Sequence, residues 1–115
     1  MEKAQVIHVQ VDKMPELKTV DTYYKNLQSL VGGHMEVIFI NPKIVMYHHG
    51  EGKIIGLPPN FNFVVDDSRG VRVADVIVGD VFFATHDSEG EMISLTERMI
   101  EEIMSRFMDR LHFLG

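Results

Sequence analysis

The chain has 115 residues, 45% of them apolar and 24% charged, with a formal charge of −6. That length supports one hydrophobic core, and this balance of apolar to charged residues excludes a disordered chain. There is no Cys, which excludes disulfides, thiolate catalysis and Cys-ligated zinc.

The charge is unevenly spread. Six Lys balance six acids in residues 1–58, whereas residues 59–115 hold five Arg against eleven acids, so the whole excess lies in the second half. An acidic half repels phosphate backbones, which disfavours nucleic-acid binding and leaves a basic protein partner open. The start MEKAQVIHVQV lacks a basic segment followed by an apolar run, and no window approaches about 18 uninterrupted apolar residues. A cytoplasmic, membrane-free single domain over residues 1–115 is expected.

Alternation from Gln5 to Val11 puts Ile7, Val9 and Val11 on one face and Val6, His8 and Gln10 on the other, which reads as a half-buried first strand. Asp12 to Val20, with Pro15 and scattered charge, reads as a loop or a short extended piece. Asp21 is a good N-cap for a helix whose residues Tyr23, Tyr24, Leu27, Leu30 and Val31 share one face, and Gly32-Gly33 ends it. Met35 to Ile40 and Lys43 to His49 then form a hairpin about Asn41-Pro42. Gly50 to Lys53 is a tight turn, Ile54-Ile55 resumes an extended run, and Gly56 to Asn60 breaks it.

Phe61 to Val65 is a short apolar segment, and residues 66–70 read as an exposed loop. The apolar stretch Val76 to Ala84 is the expected central strand, with Gly79-Asp80 marking a bulge or a turn between two short strands. Ser94 and Glu97 fit a capping box. In the helix that follows, Met99, Ile100, Ile103, Met104, Phe107, Met108 and Leu111 form an apolar stripe suited to packing on a sheet. Its methionines could also seat a second copy of the chain or a partner groove. The expected fold class is α+β: a small, mostly antiparallel sheet, a short helix after the first strand, and a long C-terminal amphipathic helix packed on the sheet.

Gly50 to Gly56 has the glycines and the lysine of a phosphate loop but not its context. Pro58-Pro59 follows where a helix is needed, and no Ser or Thr follows Lys53. Lys53 can still hold an anion as a point charge. His48 and His49, adjacent on a strand, point to opposite faces and cannot chelate one metal together. No Ser lies in a nucleophile elbow, and Asp66-Asp67 sit beside Arg69 as solvated charge. No catalytic residue, metal site or cofactor is therefore expected.

Taken together, LQSLVGGHMEVI, EGKIIGLPPN, VIVGDVFFA and ISLTERMIEEI resemble the domain-of-unknown-function family numbered three-eight-four-six. The most specific pieces are Leu30 to Gly33, Glu51 to Lys53 with Gly56, Leu57, Pro58 and Asn60, and Ile77 to Gly79. The chain departs from the family after the prolines, where Phe61 replaces a short basic Asn-Arg sequence and Phe61 to Asp75 is longer and more acidic. The resemblance implies a setting in phages, plasmids and bacterial genomes and carries no reaction with it.

The expected function is that of a non-catalytic accessory protein of a phage or mobile element, acting by binding. One version sequesters a small anionic host molecule, such as a nucleotide defence signal, through Lys53, Asn60, His48 and His49. The alternative is an acidic inhibitor or DNA mimic that blocks a basic host protein through the C-terminal half; a small hydrolase ranks below both.

Overall fold

In the computed structural model residues 2–67 and 70–114 are described, with side chains described for 2–62 and 75–107. The order is β1 (Lys3–Val9), β2 (Glu16–Asp21), α1 (Tyr24–Val31), β3 (Met35–Phe39), β4 (Ile44–His49), β5 (Pro59–Asp67), β6 (Gly70–Val78), β7 (Val81–His86), β8 (Met92–Ile93) and α2 (Glu97–Leu114). The fold is α+β. A six-stranded sheet runs β2-β1-β7-β4-β3, with β8 paired to the end of β7, and every pairing is antiparallel. β5 and β6 form a separate hairpin.

β7 occupies the middle of the sheet because both of its faces are apolar. Val81, Phe82, Phe83 and Ala84 are all buried, and buried Thr85 satisfies its hydroxyl by donating to the Lys43 carbonyl at 2.6 Å. On one face Ile7, Val9, Ile44, Met46, Val81 and Phe83 meet Phe61 and Ile77 of the β5–β6 hairpin and Leu95, Ile103 and Phe107 around α2. Phe107 fits edge-on against Phe61 and Phe83, with centroids 4.9 and 5.7 Å away. On the other face Val6, Val20, Val45, Phe82 and Ala84 bury Leu27 and Val31 of α1. The sheet is thus the middle layer of three.

That layering corrects several expectations. β1 is buried on both faces, since helices cover both, and is not a half-buried strand. The short extended piece before Asp21 is the edge strand β2, where Val20 is buried and Leu17 exposed, too little alternation to register as a strand in the sequence. The apolar run Val76 to Ala84 divides at Gly79-Asp80 as expected, but its first residues end β6 and only Val81 to Ala84 lie in the central strand. The expected loop at 66–70 is largely taken up by the long β5–β6 hairpin, with Ser68 and Arg69 outside the described residues.

Both helix starts also shift. Tyr23 takes the cap position of α1 without a side-chain bond, while Asp21 Oδ1 accepts from the Tyr23 N–H at 2.9 Å; Tyr23 and Tyr24 stay exposed. At α2 the cap is Thr96, whose hydroxyl accepts from the Met99 N–H at 3.2 Å. Ser94 is diverted to the sheet, where its hydroxyl accepts from the Gln5 N–H at 2.8 Å and the Leu95 N–H donates to the Gln5 carbonyl at 3.1 Å. α2 packs on the sheet as expected through Ile103 and Phe107, with Met99, Ile100 and Met104 against the same core. The side chains of Met108 and Leu111 lie outside the described residues. Among the described residues no helix is long and apolar enough to cross a membrane.

Candidate functional site

The three most specific pieces of the family resemblance, Leu30 to Gly33, Glu51 to Asn60 and Ile77 to Gly79, are separate in the chain and converge at one end of the sheet. α1 stops where Gly32 turns left-handed at φ 86° and donates to the Gln28 carbonyl at 2.9 Å; the Gly33 N–H donates to the same oxygen at 3.1 Å. Gly33 matters for a different reason. A Cβ there would stand 2.6 Å from Nε2 of His49, so any side chain displaces that imidazole. One residue on, the His34 carbonyl accepts from the Gly50 N–H at 2.8 Å, extending the β3–β4 ladder past its Met35–His49 pair.

From Gly50 the chain coils instead of resuming an extended run at Ile54-Ile55. The Ile55 N–H donates to the Glu51 carbonyl at 3.0 Å and the Leu57 N–H to the Gly52 carbonyl at 2.9 Å, leaving Ile54 and Ile55 exposed. The coil drives Leu57 onto Gly79. Gly79 has φ 72°, its N–H donates to the Pro58 carbonyl at 2.8 Å, and a Cβ on it would lie 2.7 Å from Leu57 Cδ1. Gly79→Ala therefore adds left-handed strain to a clash with a side-chain end that can move. A loss of about 1–2 kcal/mol is expected, measured by urea unfolding.

This packing opens a cleft of about 170 Å³ between the β3–β4 edge, the coil and β6. His48, His49, Lys53 and Asp75 line it together with the Gly50 to Gly52 backbone, over Ile38 and Ile77. Lys53 Nζ is ion-paired and hydrogen-bonded to Asp75 Oδ1. That hydrogen bond, reinforced by the Val76 N–H, holds the Asp75 carboxyl below its ordinary value against the opposing effect of partial burial. His48 Nδ1 donates to the His49 carbonyl at 3.1 Å. His49 Nδ1 accepts from the Glu51 N–H at 3.0 Å, so in the neutral ring Nε2 carries the proton, next to Gly33.

Three of the four residues singled out in the sequence thus share one cleft. His48 and His49 do leave the strand on opposite faces, paired across to Glu36 and Met35, yet both reach the cleft because it wraps the end of the hairpin. Asn60 lies elsewhere. Both of its amide hydrogens are used inside the fold, donated to the Val9 carbonyl at 2.9 Å and the Gly79 carbonyl at 2.8 Å, so it ties the end of β1 to the β6–β7 turn. Asp75, 22 residues from Lys53, gave no signal in the sequence, because only the β5–β6 register brings it to the coil. Among the described residues no group of His, Asp and Glu is placed to hold a metal.

A second, broader depression of about 500 Å³ lies between the β3–β4 turn and the first turn of α2, lined by Pro42, Lys43, Arg98, Met99 and Glu102 among others. Of the segments that carry the resemblance, only ISLTERMIEEI reaches it, through Thr96, Arg98, Met99 and Glu102.

Behind the glycine stop, His8 is buried in β1. Its Nδ1 accepts from Lys18 Nζ at 2.8 Å and its Nε2–H donates to the Leu30 carbonyl at 2.8 Å, fastening the end of α1 to the sheet. Burial pushes its pKa below the ordinary 6.5; the Lys18 charge acts in the same direction, and the Leu30 bond opposes both.

No curated protein and no solved structure matches the chain. A family match does span residues 2–108 and takes in every segment of this packed end, so the chain belongs to the family described as a domain of unknown function, DUF3846.

Proposed function

We propose that the chain is a non-catalytic binding protein whose cleft captures a small phosphorylated host molecule of the nucleotide class, in the service of a phage or other mobile element. The observation that carries this reading is the convergence of Lys53, His48, His49 and the Gly50 to Gly52 backbone on one cleft. The lining also contains Glu51 and Asp75, so its charge is mixed. A bare anion gains little there. A nucleotide offers a phosphoryl group to Lys53 and hydroxyl or amino donors to the carboxylates, which matches both signs.

At about 170 Å³ the cleft is smaller than the sites that enclose a whole drug-sized ligand, of roughly 300–1,000 Å³. It therefore grips one end of the molecule. Lys53 is freed for this by giving up Asp75, an exposed pairing worth about 0–1 kcal/mol. The test is thermal unfolding with a panel of cyclic and linear nucleotides. A nucleotide-dependent rise is expected, absent with inorganic phosphate and abolished in Lys53→Ala, whose own unfolding temperature stays near that of the parent chain. No rise with any nucleotide at millimolar concentration defeats the reading.

A further inference from the structure

Among the described residues β3 is an outer strand of the sheet with one edge unpaired, and that edge is well suited to a copy of itself. The bonds just beyond either end of the strand, from the Gly50 N–H to the His34 carbonyl (2.8 Å) and from the Ile40 N–H to the Ile44 carbonyl (2.9 Å), set the phase of the β3–β4 ladder. Even-numbered residues bond inward to β4, so the N–H and C=O groups of Met35, Val37 and Phe39 point outward. The same three side chains share the face on which α1 packs, and Val37 and Phe39 remain 43% and 67% exposed there. β2, at the opposite edge, carries Glu16, Lys18 and Asp21, the kind of charge that discourages edge pairing; β3 has only Glu36 and no Lys or Pro.

We propose that β3 pairs antiparallel with β3 of a second copy about a two-fold axis through Val37. In that register Val37 meets its own equivalent, Met35 meets the partner's Phe39, and Glu36 meets the partner's Ile38. No like charges face each other. All three outward-pointing residues fall at hydrogen-bonded positions, so about six backbone bonds close across the axis. The two sheets become one. Val37 and Phe39 of both copies, beside Met35 and Tyr47 at the margin of the α1-side core, extend that core through the interface. This self-complementarity of charge and register selects a second copy over a foreign strand, whose side chains nothing on β3 would specify. The surface is distinct from the Met-bearing face of α2, which is already packed on the sheet.

Sedimentation of the full chain from low micromolar to submillimolar concentration is expected to show a reversible dimer. Phe39→Lys is expected to weaken it by more than about tenfold while leaving thermal unfolding of the monomer in place, because Phe39 is mostly exposed. Val37→Cys introduces the single thiol of the chain. Spin-labelled there, the dimer is expected to give one short interlabel distance, and a label at Leu17→Cys on β2 a long one. A monomer at every concentration overturns the proposal, as does a dimer indifferent to Phe39→Lys or one whose labels at position 37 lie far apart.

Discussion

Phe82→Ala lowers the stability of the folded chain by about 3–5 kcal/mol. Phe82 is fully buried in the central strand, and its ring stacks on Tyr47 with centroids 4.8 Å apart and planes 14° from parallel. It also shares a core cluster with Val6 of β1 and the α1 residues Leu27 and Val31. Truncation loses the transfer energy of the ring and leaves a cavity walled by rigid strands on both sides, which cannot close in. A total stability of about 5–15 kcal/mol is ordinary for a domain, so the loss takes a large share. Chemical unfolding followed by circular dichroism checks it: the midpoint drops while the slope stays constant. A change below about 1 kcal/mol would mean that α1 does not pack on this face as described.

His8→Leu costs about 1–3 kcal/mol at neutral pH, because the Leu30 carbonyl loses its donor and Lys18 loses its acceptor. The same substitution changes the pH profile. The pKa of His8 is lowered in the folded chain, so below its ordinary 6.5 the unfolded chain takes up a proton that the folded chain resists. The stabilisation linked to neutral His8 is therefore complete above pH 6.5 and is lost as pH falls from there through the folded value. Unfolding midpoints of the parent and His8→Leu chains at pH 7.5 and pH 5 measure this, the other histidines being common to both. The parent is expected to lose more stability on acidification than the variant. An equal loss would show that His8 is not held neutral.

Both effects act on the same assembly. His8 holds the end of α1 where Gly32 and Gly33 turn, and Gly33 sets the position of His49 in the cleft.

The α+β class, the hairpin about Asn41-Pro42, the glycine stop of α1 and the packing stripe of α2 were legible along the chain. Each is a local pattern, whether a period of two or of 3.6, or a residue that tolerates left-handed backbone. The grouping of His48, His49 and Lys53 was partly legible, since they lie within six residues of one another. What the sequence left open is non-local. Ser94 reads as a cap until the edge of β1 takes its hydroxyl, and Asn60 reads as a ligand donor until two carbonyls from distant segments take its amide. Asp75 becomes a partner of Lys53 only through the β5–β6 pairing. Period and turn chemistry determine which elements form; the burial of both faces of β7 decides how they stack, and that stacking alone brings the glycine, proline and lysine segments, LVGG and EGKIIGLPPN, to one end of the sheet.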